Sequence, residues 1–129
     1  MYILDTDIVI NFLRGEEKIK QLVYNFYTKN TCITFITLSE LFFGAYNSKY
    51  TPQHLKEINF LTDFVDVLHP DFNACKLFGK IKSELKNSGK IIGDFDIMIA
   101  AIAIANDFIL VTNNIKHYST INELKLYKS

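Results

Sequence analysis

The sequence predicts an α/β/α sandwich built around a central parallel sheet. Short apolar runs, several of them rich in β-branched residues, alternate with longer segments whose apolar residues recur at helical spacing. This alternation is typical of parallel α/β folds. No repeat, low-complexity tract or linker-like segment interrupts the chain. Its 129 residues are enough to bury a core without disulfides, so we expect one domain over residues 1–129.

The apolar runs are candidate strands, and the longer periodic segments are candidate helices. Strands are predicted at residues 2–4, 31–36, 65–68, 108–111 and 124–127. Helices are predicted at residues 8–13, 16–27, 37–47, 71–87 and 97–105, with a further helix starting near Pro52. The segment 97–105 is apolar on nearly every side, which predicts a central, buried helix.

Composition excludes several classes of protein. Fourteen basic residues balance fourteen acidic ones, so the chain is not a strongly cationic nucleic-acid binder of the histone type, although an acidic pocket beside a local basic stripe remains compatible. Cys32 and Cys75 have no partner at metal-binding spacing, and we expect buried free thiols in a reducing compartment. The first residues lack the basic region of a signal peptide, and no apolar run has the roughly 18–20 residues of a membrane span. We therefore expect a cytoplasmic protein with no membrane contact.

Acidic and polar residues follow the predicted strands. Asp5 comes directly after the first strand, where a carboxylate is costly without a partner. Glu40 lies one helical turn past the second strand, Asp96 starts the helix leading into the strand at 108–111, and residues 112–114 follow that strand. The carboxyl ends of parallel strands form the usual ligand-binding edge of such sheets, so these groups should converge there.

Converging carboxylates repel one another unless a cation compensates their charge. Oxygen-only ligands suit Mg²⁺ or Mn²⁺, and an ion held in this way can activate water for attack on a phosphodiester. The pattern therefore indicates a metal-dependent nuclease.

Each of these residues also has a purely structural interpretation. The Thr37-x-x-Glu40 spacing matches a capping box, in which the glutamate only satisfies the helix's own backbone. Asp94 and Asp96 are residues that a helix N-terminus favours, and we expect Asp7 to cap the helix that follows it. Residues 112–114 have the composition of a turn. The conjunction of the acids, and no single one of them, carries the functional interpretation.

Four segments in order resemble the motifs of PIN domains. They are Leu-Asp-Thr-Asp-Ile-Val-Ile at 4–10, Ser-Glu-Leu-Phe-Phe-Gly-Ala at 39–45, Ile-Gly-Asp-Phe-Asp at 92–96 with Ile-Ala-Ala at 99–101, and Leu-Val-Thr-Asn-Asn at 110–114. Order and spacing agree over essentially the whole chain, and the set is most similar to the VapC-type toxins of prokaryotic toxin–antitoxin pairs.

This resemblance implies an α/β/α sandwich with Mg²⁺- or Mn²⁺-dependent endoribonuclease activity. It implies hydrolysis of RNA, with tRNA among the candidate substrates, by a metal-activated water that leaves a 5′-phosphate and a 3′-hydroxyl. It also implies inhibition by a small antitoxin and assembly as a homodimer. We expect the partner contacts near three aromatic residues, Phe43, Tyr46 and Tyr50.

The resemblance also assigns roles to individual residues. Three acids of this chain match the family's metal site: Asp5, Glu40 and Asp96. Asp94 becomes an accessory ligand or a cap, and Thr112 becomes the hydroxyl that orients a carboxylate or a water. Asn114 stands where many PIN domains have a fourth aspartate, so one well-held ion is expected in preference to two.

Alternative functions remain open at this point. A haloacid-dehalogenase-like phosphatase would use Asp5 and Asp7 as its paired acids and residues 93–96 as its metal motif. It also needs a catalytic lysine, for which Lys90 is the near candidate, and it gives Glu40 no role. A receiver domain would need a phosphoacceptor aspartate after its third strand. A PIN-like binding module that has lost activity is the non-enzymatic alternative.

The remaining charged residues form no clear site. The histidines show no ligand pattern, and surface or packing roles are expected for them: His54, His69 and His117. A row of lysines at four-residue spacing is either a solvated helix face or a track for RNA: Lys82, Lys86 and Lys90.

Overall fold

The computed structural model describes residues 1–26 and 31–128. Within these ranges there are five strands and seven helices. The strands are β1 (Tyr2–Leu4), β2 (Thr31–Thr34), β3 (Asp66–Leu68), β4 (Ile109–Val111) and β5 (Lys125–Leu126). The helices are α1 (Thr6–Leu13), α2 (Glu17–Phe26), α3 (Phe35–Tyr46), α4 (Thr51–Thr62), α5 (Phe72–Asn87), α6 (Asp94–Asn106) and α7 (Ile115–Tyr118).

The strands form one sheet in the order β3-β2-β1-β4-β5, and every neighbouring pair is parallel. β1 is therefore central, with Tyr2 opposite Thr31 on one side and Leu4 opposite Val111 on the other. The carboxyl ends of the strands all lie at the same edge. The predicted fold class is confirmed.

Side chains alternate between the two faces of the sheet, as the pleat of a strand requires. Ile3, Cys32 and Leu110 join the core beneath α5 and α6. Their chain neighbours Leu4, Ile33 and Val111 join the core beneath α1, α2 and α4. Both faces of the three central strands are thus buried, which explains why these strands are apolar throughout instead of alternating with polar residues.

The helix α6 is the most deeply buried helix segment on its face of the sheet. Its buried residues are Ile97, Ile99, Ala100, Ala101, Ile102 and Ala103. The small alanine side chains allow neighbouring elements to approach closely, and α6 belongs to the same core as residues of α5. The prediction of a central, buried helix is confirmed. Its first turn carries Asp94 and Asp96.

The start of α1 differs from the prediction. The helix begins at Thr6, two residues earlier than expected, because the Asp5 side chain caps it: Oδ1 accepts a hydrogen bond from the backbone N–H of Thr6 at 2.9 Å. The prediction that Asp7 caps this helix was wrong. Asp5 is therefore both the helix cap and the residue that ends the central strand.

The start of α3 also differs. The strand β2 ends at Thr34, whose hydroxyl accepts from the backbone N–H of Thr37 at 3.3 Å, and the helix begins at Phe35. The capping-box interpretation was wrong, since Thr37 lies inside the helix. Glu40 consequently stands in the second turn and its carboxylate is free to face the sheet edge.

Three further expectations need revision. The helix α6 begins at Asp94 with Gly93 as its N-cap, so Asp94 is not the cap. The short helix α7 was not predicted at all. Cys32 is buried and free as expected, whereas Cys75 is free but exposed. The predicted end of the second helix, residue 27, lies outside the described residues.

Across residues 1–26 and 31–128, no helix has the length and apolar character needed to cross a membrane.

Replacing Ile102 by alanine should lower the free energy of unfolding by about 3 kcal/mol. The side chain is fully buried in α6, so its removal leaves a cavity that the packed core cannot close. Chemical denaturation measures the change. Ile104→Ala, in the same helix but only partly buried, is the matched control and should cost clearly less; equal losses in the two variants would contradict this packing.

Candidate active site

Asp5 lies at the carboxyl end of the central strand and is 6% exposed. Its Oδ2 atom accepts a hydrogen bond from the Thr112 hydroxyl at 2.8 Å. Its Oδ1 atom accepts from the backbone N–H of Thr6 at 2.9 Å and faces the Tyr118 hydroxyl at 3.3 Å. The β1–β4 pairing brings Thr112 here, since the Asp5 backbone N–H donates to the carbonyl of Val111. Both oxygens of a nearly buried carboxylate are therefore held by the protein.

Burial raises the pKa of Asp5 from its ordinary value of 3.8 to about 6. That value is the net result: the negative charges of Asp7 and Asp96 also raise the pKa, while the hydrogen bonds from Thr112 and Thr6 lower it. Loss of hydration is the largest of these causes, as expected for a carboxylate in a nearly closed site. The ionised form of Asp5 is thus costly in the isolated protein.

Asp96 lies in the first turn of α6, where the helix dipole favours a negative charge. Its Oδ1 atom accepts from the Tyr118 hydroxyl at 3.1 Å. Its Oδ2 atom lies 3.1 Å from Nε2 of His117. Because one hydroxyl contacts both Asp5 and Asp96, two acids that are 91 positions apart in the sequence form a close pair.

Two residues of α7 that complete this pair, His117 and Tyr118, were not predicted as site residues from the sequence. His117 was expected in a surface or packing role, yet its ring nitrogen contacts Asp96. Tyr118 is buried and its hydroxyl contacts both acids. One available signal was position: these residues follow Thr112 by only a few places, so the chain has little length in which to leave the edge where β4 ends.

Glu40 reaches the same edge from α3 but contacts a different residue. Its Oε1 atom accepts from the Thr6 hydroxyl at 2.9 Å, and the same hydroxyl oxygen lies 2.9 Å from that of Thr37. Thr6 directly follows Asp5, so Glu40 is linked to the acid pair through one residue. It makes no hydrogen bond to either acid.

The remaining predicted residues surround this arrangement. Asp7 accepts from the backbone N–H groups of Ile8 at 2.7 Å and Asn113 at 3.0 Å, and burial raises its pKa. Asn114 takes part through its backbone N–H, which donates to the Thr112 hydroxyl at 3.0 Å.

Asp94 is the most solvent-exposed of the predicted site residues that carry a charge. Its Oδ1 atom lies 2.9 Å from Nζ of Lys82 on α5. The two side chains are both more than half exposed, so the ion pair contributes little to stability. Its geometric effect is to turn the Asp94 carboxylate toward α5.

The donor set at this edge consists mainly of carboxylate and hydroxyl oxygens. As the side chains stand, no three His, Cys, Asp or Glu groups among the described residues are gathered closely enough to bind one ion together. The close pair of Asp5 and Asp96 is nevertheless a suitable donor set for Mg²⁺, which commonly keeps several waters and binds through one or two carboxylates. The raised pKa of Asp5 fits a site that a cation would stabilise.

Comparison with known proteins identifies the family. The chain matches the PIN domain over residues 2–121. It is 34% identical to a protein of Haemophilus influenzae (strain R2866) named Ribonuclease VapC1, covering 97% of this chain and 95% of that one. It is 32% identical to a protein of Shigella flexneri named tRNA(fMet)-specific endonuclease VapC, covering 96% of this chain and 94% of that one.

Solved structures agree with the sequence comparisons. The fold matches a chain in VapBC2 of Rickettsia felis, crystallised with a DNA fragment from its promoter, with a TM-score of 0.91 and 28% identity over 98% of this chain and 96% of that one. It matches a chain in VapBC-1 of nontypeable Haemophilus influenzae with a TM-score of 0.89 and 33% identity, again over 98% and 96%. With four sequence motifs, the sheet order and these similarities in agreement, the chain belongs to the PIN domain family.

Proposed function

We propose that the protein is an Mg²⁺- or Mn²⁺-dependent endoribonuclease and the toxin of a toxin–antitoxin pair. The observation that carries the proposal is the pairing of Asp5 and Asp96 through one hydroxyl at the carboxyl edge of the sheet. Relatives named as ribonucleases cover almost the whole chain. We take residues 1–129 to be one nuclease domain.

The raised pKa of Asp5 supports a metal ion at this position. A buried carboxylate next to two further acids is poorly stabilised by the protein alone. A nearby divalent cation would offset that charge, and the oxygen donors present are those Mg²⁺ and Mn²⁺ prefer. When bound, such an ion supplies a more acidic water and stabilises charge that builds up on a phosphodiester.

The chain's own residues then have separate tasks. Asp5 and Asp96 would bind the ion directly, and Glu40, one residue removed through Thr6, would hold a water near it. Thr112 orients Asp5 through the hydrogen bond to Oδ2. The set thus consists of two proposed ligands and three residues that hydrogen-bond around them, which agrees with a single bound ion.

Asp94 and Asn114 are assigned lesser roles at the site. Asp94 contacts Lys82, and we assign it an accessory role toward the substrate or the ion. Asn114 supplies a neutral amide where a fourth carboxylate would be needed to hold a second ion. A single ion is therefore the arrangement that we propose.

The alternative functions are less well supported. The phosphatase requires Asp7 to act as an acid, but both Asp7 oxygens accept backbone hydrogen bonds. It also leaves Glu40 without a role. The inactive PIN-like module would explain Asn114, and the RNA-cleavage experiment below distinguishes it from an active enzyme.

The proposed partners are an RNA substrate, a cognate antitoxin and a second copy of the chain. Two solved relatives are VapBC complexes, and tRNA is the first substrate to test because a relative is named as tRNA(fMet)-specific. A groove of about 520 Å³ lies between α1, α3 and α4, with Glu40 in its wall and apolar residues such as Ile10 and Leu41 beside it. An antitoxin segment with apolar side chains and a basic residue for Glu40 would fit this groove.

Cleavage of total RNA, including tRNA, tests the activity. The protein should cut RNA with Mg²⁺ or Mn²⁺ and leave 5′-phosphate ends, and chelation by EDTA should abolish cutting. Asp96→Asn should lose roughly a hundredfold or more, since a bound ion contributes several kcal/mol to such reactions. Asp63→Asn, which removes an exposed acid at the end of α4, is the control and should cut normally. Cleavage by the Asp96 variant at the wild-type rate, or in EDTA, would contradict the proposal.

The stability of the metal-free protein should depend on Asp5 and on pH. The folded protein holds the Asp5 proton up to about pH 6, whereas an ordinary aspartate releases it near 3.8. Stability should therefore fall as pH rises from about 4 to 6. At pH 7 in EDTA, Asp5→Asn should be about 2–3 kcal/mol more stable than the wild type, and the difference should vanish near pH 4. Denaturation at both pH values measures this, and a variant that is less stable at pH 7 would be inconsistent with the charge penalty.

Assembly should depend on the exposed aromatic surface of α3. Phe43 is 70% and Tyr46 is 68% exposed, and lysine at both positions would place charges in an apolar contact. The double variant Phe43→Lys/Tyr46→Lys should be monomeric by light scattering, while the wild type is a dimer. Phe72→Lys, at an 86% exposed aromatic on α5, is the matched control and should remain dimeric. A wild type that is itself monomeric would refute the dimer.

A further inference from the structure

We propose that Tyr118 is a positioning residue that holds Asp5 and Asp96 at the separation a divalent cation requires. The inference rests on the proposed metal site and goes beyond it, because it assigns the geometry of that site to a residue on a separate element. Tyr118 ends the short helix α7 and is buried.

The Tyr118 hydroxyl contacts both acids at once. It lies 3.3 Å from Oδ1 of Asp5 and 3.1 Å from Oδ1 of Asp96. A hydroxyl carries one proton, so the bond is shared between two acceptors, and both distances are longer than the usual O–H···O range. The two carboxylate oxygens consequently lie within about twice a hydrogen-bond length of each other.

Without the shared Tyr118 hydroxyl, electrostatic repulsion would push the two carboxylates apart. They carry like charges, and Asp5 has little water to screen it. The outer atoms of the pair are already anchored, Oδ2 of Asp5 by Thr112 and Oδ2 of Asp96 by His117. Among the described residues, Tyr118 is the one whose side chain hydrogen-bonds to both acids. It therefore links Asp5 to Asp96.

Residues that hydrogen-bond to metal ligands, without binding the metal themselves, commonly change metal affinity by 10–100-fold. Tyr118 matches that role in its position and its chemistry, since it donates to the ligands and leaves each carboxylate at least one further lone pair for an ion, on Oδ2 in the case of Asp5. The ring itself belongs to the same core as Ile97 and Ile121. Phenylalanine keeps the ring and removes only the hydroxyl, so Tyr118→Phe separates positioning from packing.

The test is Mn²⁺ binding to the intact protein by titration calorimetry, with no RNA present. Tyr118→Phe should bind Mn²⁺ about tenfold more weakly than the wild type, while its melting temperature in EDTA shows that it remains folded. Tyr127→Phe is the matched control, because the Tyr127 ring packs on Tyr2 and Phe26 away from the acids. That variant should bind Mn²⁺ as the wild type does.

The failures can be told apart. Equal or tighter Mn²⁺ binding by Tyr118→Phe, with normal binding by the wild type and loss in Asp96→Asn, would overturn the positioning role and leave the metal site intact. An absence of Mn²⁺ binding in the wild type would overturn the metal site and the positioning role together.

Discussion

The buried carboxylate of Asp5 is the constraint around which the edge of this sheet is organised. It ends the central strand, caps α1 and accepts hydrogen bonds from Thr6 and Thr112. Each of these contacts depends on a different part of the fold: the cap on the chain turning directly into a helix, and the Thr112 bond on the parallel pairing of β1 with β4. The hydrogen bonds that stabilise this buried charge therefore form only when β1 pairs with β4 and α1 begins directly after Asp5.

The same constraint explains how a neutral protein can carry a strongly acidic site. Asp96 lies on α6, and Glu40 lies on α3, whose Leu41 and Ala45 pack in the core on the other face of the sheet. The sheet brings them to one edge, and hydroxyl groups of threonine and tyrosine separate the acids. Hydroxyls orient carboxylates without neutralising them, so the negative charge stays available for a cation. Lysine or arginine in those places would have removed that charge.

Much of this arrangement is predictable from the sequence, and the reasons for the exceptions are physical. The strands around Asp5 and the helix α6 are runs of apolar residues, so they can be predicted directly from the sequence. The Thr37-x-x-Glu40 spacing gave a wrong prediction because it occurs both in capping boxes and inside helices. The hydrogen bond from the Thr37 backbone N–H to the Thr34 hydroxyl shows that Thr34 is the cap. Tyr118 and His117 carry no pattern of their own, since their importance arises from contacts across the fold.

We propose that Asp5 and Asp96 together form a divalent-cation site. Anomalous scattering from a crystal grown with Mn²⁺ would test it most directly. We expect a single strong peak within direct bonding distance of a carboxylate oxygen from each of the two acids. A peak coordinated elsewhere on the protein, or a well-ordered pair of carboxylates with no peak at saturating Mn²⁺, would contradict it.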